Sequence, residues 1–221
     1  MRVGEYGGLN VPDERRSVVL GSRSPRRREL LELLVPDQRV IILPPLNPEE
    51  PGFDGLTTDA AIEQQLLAIA RGKHQDVLDQ PECPGEATII TADTTIVVGP
   101  PGQRLSLGQP PMDETYRPVL RQWFRDHYFG RWHTVLTGVV VSRAGGSLRE
   151  QVVATRIRMI ESNEPLLEWY LQTDEPQGKA GGYALQGLGS VFITAVEGSL
   201  SNVVGLPLEA LRKLLHELNA A

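Results

Sequence analysis

The stretch VVLGSRSPRRRELLELL, Val18 to Leu34, decides how this chain is to be read. A short buried strand over Ser17 to Gly21 gives way to a turn. A helix then follows from Pro25 to Leu34, with Leu30, Leu31, Leu33 and Leu34 as its apolar side. Pro25 stands where a first helical residue belongs. Ser22 and Ser24 add hydroxyl and amide donors at the strand end, and the free N–H groups and positive dipole end of a helix favour an anion there. Arg26, Arg27 and Arg28 fall in the first turn, where positive charge opposes the dipole and is costly unless something negative is bound. The plainer alternative is a capped helix with a solvated basic face.

Working outward, a second strand is expected at Arg39 to Leu43, and PPLNPEEPGFDGLT, Pro44 to Thr57, reads as a loop. Thr58 or Asp59 caps a long amphipathic helix reaching about Leu78. Strand signals return at Ala87 to Thr91, at Thr95 to Val98, in TVLTGVVVS (Thr134 to Ser142) and in VVATRIRMI (Val152 to Ile160). Asn163 caps the helix EPLLEWYLQ. A glycine-rich loop, Gly178 to Gly189, leads into the strand SVFITAVEG, and LPLEALRKLLHEL closes the chain as a helix with Pro207 near its start. Strands alternating with helices predict an α/β fold, and the long β-rich middle predicts a mixed sheet. We expect a flexible polar tail over residues 1–16 and one domain over residues 17–221.

The chain has 221 residues, a net charge of −6 and a pI near 5.3, which argues against a nucleic-acid surface built on a broad basic face. No apolar run approaches the roughly 18 residues that cross a bilayer. The first residues lack the apolar core of a signal peptide, so a cytoplasmic protein is expected. The lone Cys83 has no internal disulfide partner. Within this acidic chain the arginines at 23, 26, 27 and 28 reverse the local sign, and so compact a cluster suits a compact polyanion.

Two further segments carry chemistry. In IITADTTIVV, Asp93 sits between two apolar runs, which reads as a carboxylate at a strand break, able to hold a divalent metal, orient a water or simply make a turn. In QGKAGGYALQGLG, five glycines surround Lys179, Tyr183 and Gln186. Such backbone can approach a ligand closely, or only turn the chain. Lys179 suits a phosphate, and Gln186 can both donate to and accept from the edge of a base.

Together VVLGSRSPRRRELLELL, TADTTIVV, GKAGGYALQGLGSVF and SNVVGLPLEALRKLL resemble, in order and spacing, the motifs of the Maf family over about residues 17 to 216. The resemblance implies an elongated mixed β-sheet flanked by helices, with two lobes and a central cleft, related to the inosine-triphosphate pyrophosphatase fold. It implies a nucleoside triphosphate pyrophosphatase that uses a divalent cation (Mg²⁺, Mn²⁺ or Co²⁺) with metal ligands left unassigned. Asp93 is then the proton acceptor, and Ser22, Arg26, Arg27, Lys73 and Lys179 face the triphosphate. Arg26, Thr94 and Gln186 match the branch acting on dTTP and UTP, whereas the 7-methyl-GTP branch carries Trp, Gln and Glu at those places. A homodimer follows by analogy alone, and no membrane or nucleic-acid partner is expected.

The chain also departs from the pattern. SLGQPP places Gln109 where the family has a catalytic lysine, and Lys73 or Arg28 are candidates to compensate. Glu49 or Glu50 takes the place of an acid after the proline pair. The segment RQWFRDHYFGRWHTVLTG replaces a shorter turn but keeps a histidine, His133. These departures sustain a rival reading, a nucleotide-binding regulator with weak or lost turnover.

Overall fold

The computed structural model describes residues 16–35, 39–47 and 50–220. The expected tail, apart from Arg16, lies outside the described residues, as do Glu49 and residues 36–38. Among the described residues seven strands form one sheet: β1 (Val18–Leu20), β2 (Val40–Ile42), β3 (Thr88–Val98), β4 (Leu105–Leu107), β5 (Trp132–Arg143), β6 (Arg149–Met159) and β7 (Ile193–Glu197). The order is β2-β1-β3-β5-β6-β7, with β4 also pairing with β3. β1 runs parallel to both β2 and β3. The other pairings are antiparallel, so the sheet is mixed.

Local signals explain the helices. In α1 (Pro25–Glu32), Pro25 opens the helix and the Ser24 hydroxyl accepts from the Arg27 amide at 3.4 Å. In α2 (Asp59–Leu78), Thr58 is the cap and accepts from the Ala61 amide. After α3 (Tyr116–Trp123), whose last turn widens into a π-helical turn at Phe124–Tyr128, Asn163 caps α4 (Glu164–Leu171). A five-residue helix, α5 (Leu200–Val204), ends at Gly205, and α6 (Leu208–Ala220) closes the chain.

Strand alternation sorts the cores. Along β3, Ile90 and Ala92 enter a core with Leu30 and Leu31 of α1 and Leu211, Leu214 and Leu215 of α6. Four residues further along the same face, Ile96 and then Val98 enter a second core, with Leu120, Phe124, Tyr170 and Phe192. Thr94 falls between the two. On the opposite face α2 packs through Ile62, Leu66 and Val77 against Val19, Ile89, Val97 and Leu136. Each such buried aliphatic side chain contributes about 1.5–3 kcal/mol, so β3 and β5 are clamped from both sides. One sheet therefore carries two lobes, and the cleft opens where the two cores on one face fail to meet.

Three expectations change. No break occurs at Asp93, because Thr88–Val98 is one unbroken strand. The segment SVFITAVEG begins as a 3-10 turn, Leu188–Phe192, and only Ile193–Glu197 is strand. The elements β4, α3 and α5 had no counterpart in the sequence reading.

Candidate active site

Asp93 sits in the middle of β3, opposite Gly138 of β5, and its side chain reaches toward α2. There Lys73 Nζ donates to Asp93 Oδ1 at 2.6 Å and lies 2.9 Å from Glu50 Oε1. Of the two acids left open by the sequence, Glu50 is thus the one seen facing the cleft, Glu49 lying outside the described residues. One ammonium bridges two carboxylates.

Two adjoining chambers form the cleft. The smaller, of about 200 Å³, is lined by Asp93, Thr94, Ile96, Val135, the Tyr183–Gln186 segment and Val203–Gly205. The larger, of about 620 Å³, is lined by the turn Gly21–Arg27 and by Pro45 and Asn47. Ser24, Arg26, Arg27, Glu50, Lys73, Gln109 and Lys179 border both. All eight residues singled out from the sequence (Ser22, Arg26, Arg27, Lys73, Asp93, Thr94, Lys179 and Gln186) line one chamber or both. The small chamber pairs apolar walls with the amide of Gln186, a lining suited to a base. The large one adds the N-terminus of α1, which together with the cations bordering both chambers suits phosphates.

The cations differ in what they touch. Arg27 is held by the protein: Nε donates to the Gly205 carbonyl at 2.8 Å, Nη2 to Thr94 Oγ1 at 3.0 Å and Nη1 to Ser22 Oγ at 3.4 Å. Burial lowers the pKa of its guanidinium, and the Asp93 carboxylate opposes that shift. The Ser22 hydroxyl also accepts from the Ser24 amide, which fixes the turn. Lys179 donates to the Glu175 carbonyl. Its pKa is lowered, first by partial burial and then by the charge of Arg26. Two cations that repel one another across a cleft gain most from an anion placed between them. Arg28 lines neither chamber and pairs with Glu32 one helical turn on, at 2.5 Å. Gln109 is exposed at the border of both chambers, so its amide stands at the mouth.

The loop carrying Gln186 is pinned by a residue the sequence reading missed. Glu175 accepts from the amides of Leu188 at 2.6 Å and Gly189 at 2.8 Å, and from the Tyr170 hydroxyl at 3.3 Å. At Gly181, φ is +69° and a Cβ would lie 2.5 Å from Ile96, so only glycine lets this loop sit against β3. Tyr183 lines the small chamber, and its hydroxyl lies 2.7 Å from His133 Nε2. His133 itself is buried behind it, and burial depresses its pKa to about 3, so it remains a neutral support at ordinary pH. Thr137 and Asn202 were likewise missed. Asn202 lies in SNVVGLP, a segment recognised as a motif without a role.

A mixed α/β sheet thus presents the carboxylate of Asp93, from a central strand, to a cleft bordered by cations. The family model described as "Maf-like protein" matches residues 17–218. A dTTP/UTP pyrophosphatase of Anaeromyxobacter dehalogenans (strain 2CP-C) is 39% identical over 210 residues, covering 90% of this chain and 92% of that protein. A dTTP/UTP pyrophosphatase of Pyrococcus furiosus is 34% identical over 201 residues, covering 90% and 94%. Among solved structures, a HAM1 protein from Coxiella burnetii covers 93% of this chain and 100% of that one, at 16% identity and a TM-score of 0.48. The chain belongs to the Maf family.

Proposed function

We propose that this protein is a nucleoside triphosphate pyrophosphatase acting on dTTP and UTP, releasing the monophosphate and pyrophosphate. The observation that carries the reading is the Lys73–Asp93 pair, set in a cleft whose one end suits a base and whose other end suits phosphates. The curated relatives named for that activity support it.

In this mechanism the oxygen of a water attacks the α-phosphorus as the bond to the β-phosphate bridging oxygen breaks. Asp93 accepts the water's proton, and Lys73 holds that carboxylate in place. Arg26 and Lys179 stabilise the charge that builds on the leaving pyrophosphate. Arg27 and Ser22 brace the turn that presents the backbone N–H groups of α1. Gln186 reads the base edge from the glycine-rich loop.

Glu50 and Asp93 are the carboxylates that would hold a divalent cation. Among the described residues no cluster of three or more His, Cys, Asp or Glu could cage a metal. Two carboxylates completed by substrate phosphates is a donor set that suits Mg²⁺. Such an ion supplies charge neutralisation and a more acidic bound water. No helix among the described residues is long and apolar enough to cross a membrane, and the reading sets the protein to work in the cytoplasm as a single domain.

The test is to incubate the purified protein with dTTP, UTP, dGTP and ATP in Mg²⁺, Mn²⁺ or Co²⁺, measuring pyrophosphate and inorganic phosphate separately. Pyrophosphate formed from dTTP and UTP, and lost in Asp93→Asn, is expected. The exposed amide of Gln109 at the mouth favours one second reading, a regulator that binds nucleotide with weak turnover. Tight dTTP binding without pyrophosphate release would select it.

A further inference from the structure

A chain of hydrogen bonds crosses the space between the two lobes, and chemistry fixes its direction. Arg27 Nη2 lies 3.0 Å from Thr94 Oγ1, which lies 2.9 Å from Thr137 Oγ1. Thr137 Oγ1 lies 3.3 Å from the backbone carbonyl of Asn202. A guanidinium only donates and a carbonyl only accepts. Thr94 therefore accepts from Arg27, Thr137 donates to Asn202, and the bond between the threonines runs from Thr94 to Thr137. The one hydrogen on the Thr94 hydroxyl is committed away from the cleft.

The chain closes on itself through α5. Asn202, fully buried, donates its side-chain amide to the Val135 carbonyl at 3.1 Å and to Thr155 Oγ1 at 3.0 Å. Three residues on, the Gly205 carbonyl accepts from Arg27 Nε at 2.8 Å. Residues 202 and 205 are thus tied to the same arginine by two routes. Between them, Val203 and Val204 form one wall of the small chamber. Thr137 sits opposite Thr94 in the β3–β5 register, is wholly buried and lines neither chamber, and it meets α5 at the Asn202 carbonyl.

We infer that Thr137 and Asn202 are positioning residues for base selectivity: acting through Thr94 and Arg27, they hold the α5 wall of the small chamber where a pyrimidine fits and a purine does not. Thr94 then governs selectivity by fixing Arg27 and leaves contact with the base to others. The inference rests on reading the small chamber as the base site. Removing the Thr137 hydroxyl takes away the acceptor of the Thr94 hydrogen and leaves the buried Asn202 carbonyl with the Gly205 amide, at 2.9 Å, so α5 loses one of its ties to the sheet and the wall shifts.

Thr137→Val removes the hydroxyl at nearly constant volume, and Thr137→Ser retains it. The Val variant is expected to raise KM for dTTP by about tenfold, the equivalent of one such hydrogen bond, with kcat changing much less. The preference for dTTP over dGTP should narrow, and the Ser variant should restore both. In a Thr94→Val background, Thr137→Val should add nothing further, because the two act as one unit. An unchanged KM and preference in folded Thr137→Val, or equal losses in both backgrounds, overturns the inference. The Arg27 Nε–H signal in NMR decides the matter independently of activity. It should exchange slowly in the wild-type protein, and rapid exchange there overturns the inference even if Thr137→Val fails to fold. A wild-type protein that makes no pyrophosphate from any triphosphate refutes the functional reading, while the Arg27 signal still tests the bracing.

Discussion

Lys73 Nζ lies 2.6 Å from Asp93 Oδ1, an ion pair joining the middle of α2 to the middle of β3. With side-chain exposures of 15% and 14%, the pair is shielded enough to count for more than a surface salt bridge. Truncating one partner would leave the other charge half-buried beside Glu50 or alone. This contact aligns the carboxylate with the cleft.

Asp93→Asn keeps the shape of the side chain and removes its charge. We expect kcat to fall by ~10²–10⁴-fold, the range lost with a positioned general base, while dTTP binding measured by calorimetry survives. Near-normal pyrophosphate release would remove Asp93 from the mechanism.

Gln109→Lys should restore a cation at the border of both chambers. We expect kcat/KM for dTTP and UTP to rise, by up to ~10²-fold if the new charge lies as close as an oxyanion donor, and the gain to shrink in high salt because position 109 is exposed. An unchanged rate would mean that cations already present, Lys73 and Lys179 foremost, saturate the site.

Gly205→Ala places a side chain where φ is +115° and its Cβ would lie 3.4 Å from Arg27 Nε. A non-glycine residue held in such a conformation costs about 1–3 kcal/mol, so urea denaturation should show a loss of that order. Nucleotide binding should weaken with it, since the strained turn carries the carbonyl that holds Arg27. Unaltered stability would show that the turn relaxes freely.

Acid should destabilise the protein below neutrality. Burial lowers the pKa of His133 from 6.5 to about 3 and that of His74 from 6.5 to about 4. Between those values and 6.5 the unfolded chain takes up protons that the folded one refuses, so stability is lost as pH falls through this window. Each histidine contributes roughly 1.4 kcal/mol per pH unit. Urea midpoints at pH 7 and 4.5 should differ accordingly, and the difference should shrink in His133→Gln. An identical pH response in that variant would assign the acid lability elsewhere.

The sequence by itself determined the elements whose signals are local. Pro25 announces α1, Thr58 or Asp59 announces α2 and Asn163 announces α4, because such a signal and its helix lie within a few residues of one another. The alternation of strands and helices was enough for a mixed α/β sheet, and the motif residues converge on one cleft. The tertiary structure decided whether Ala92-Asp93-Thr94 interrupts a strand. A polar pair inside an apolar run reads as a break when its partners are out of view. In the fold Asp93 finds Lys73 20 residues away, and Thr94 finds Thr137 and Arg27 at separations of 43 and 67. With their polar groups satisfied across the sheet, the strand continues through them. The same distance hid Glu175, Thr137 and Asn202, whose roles depend on hydrogen bonds to far-off backbone and on no pattern in their own neighbourhood. A five-residue helix such as α5 has too few turns to declare itself, and it is held by Arg27 and the sheet, which only folding brings beside it.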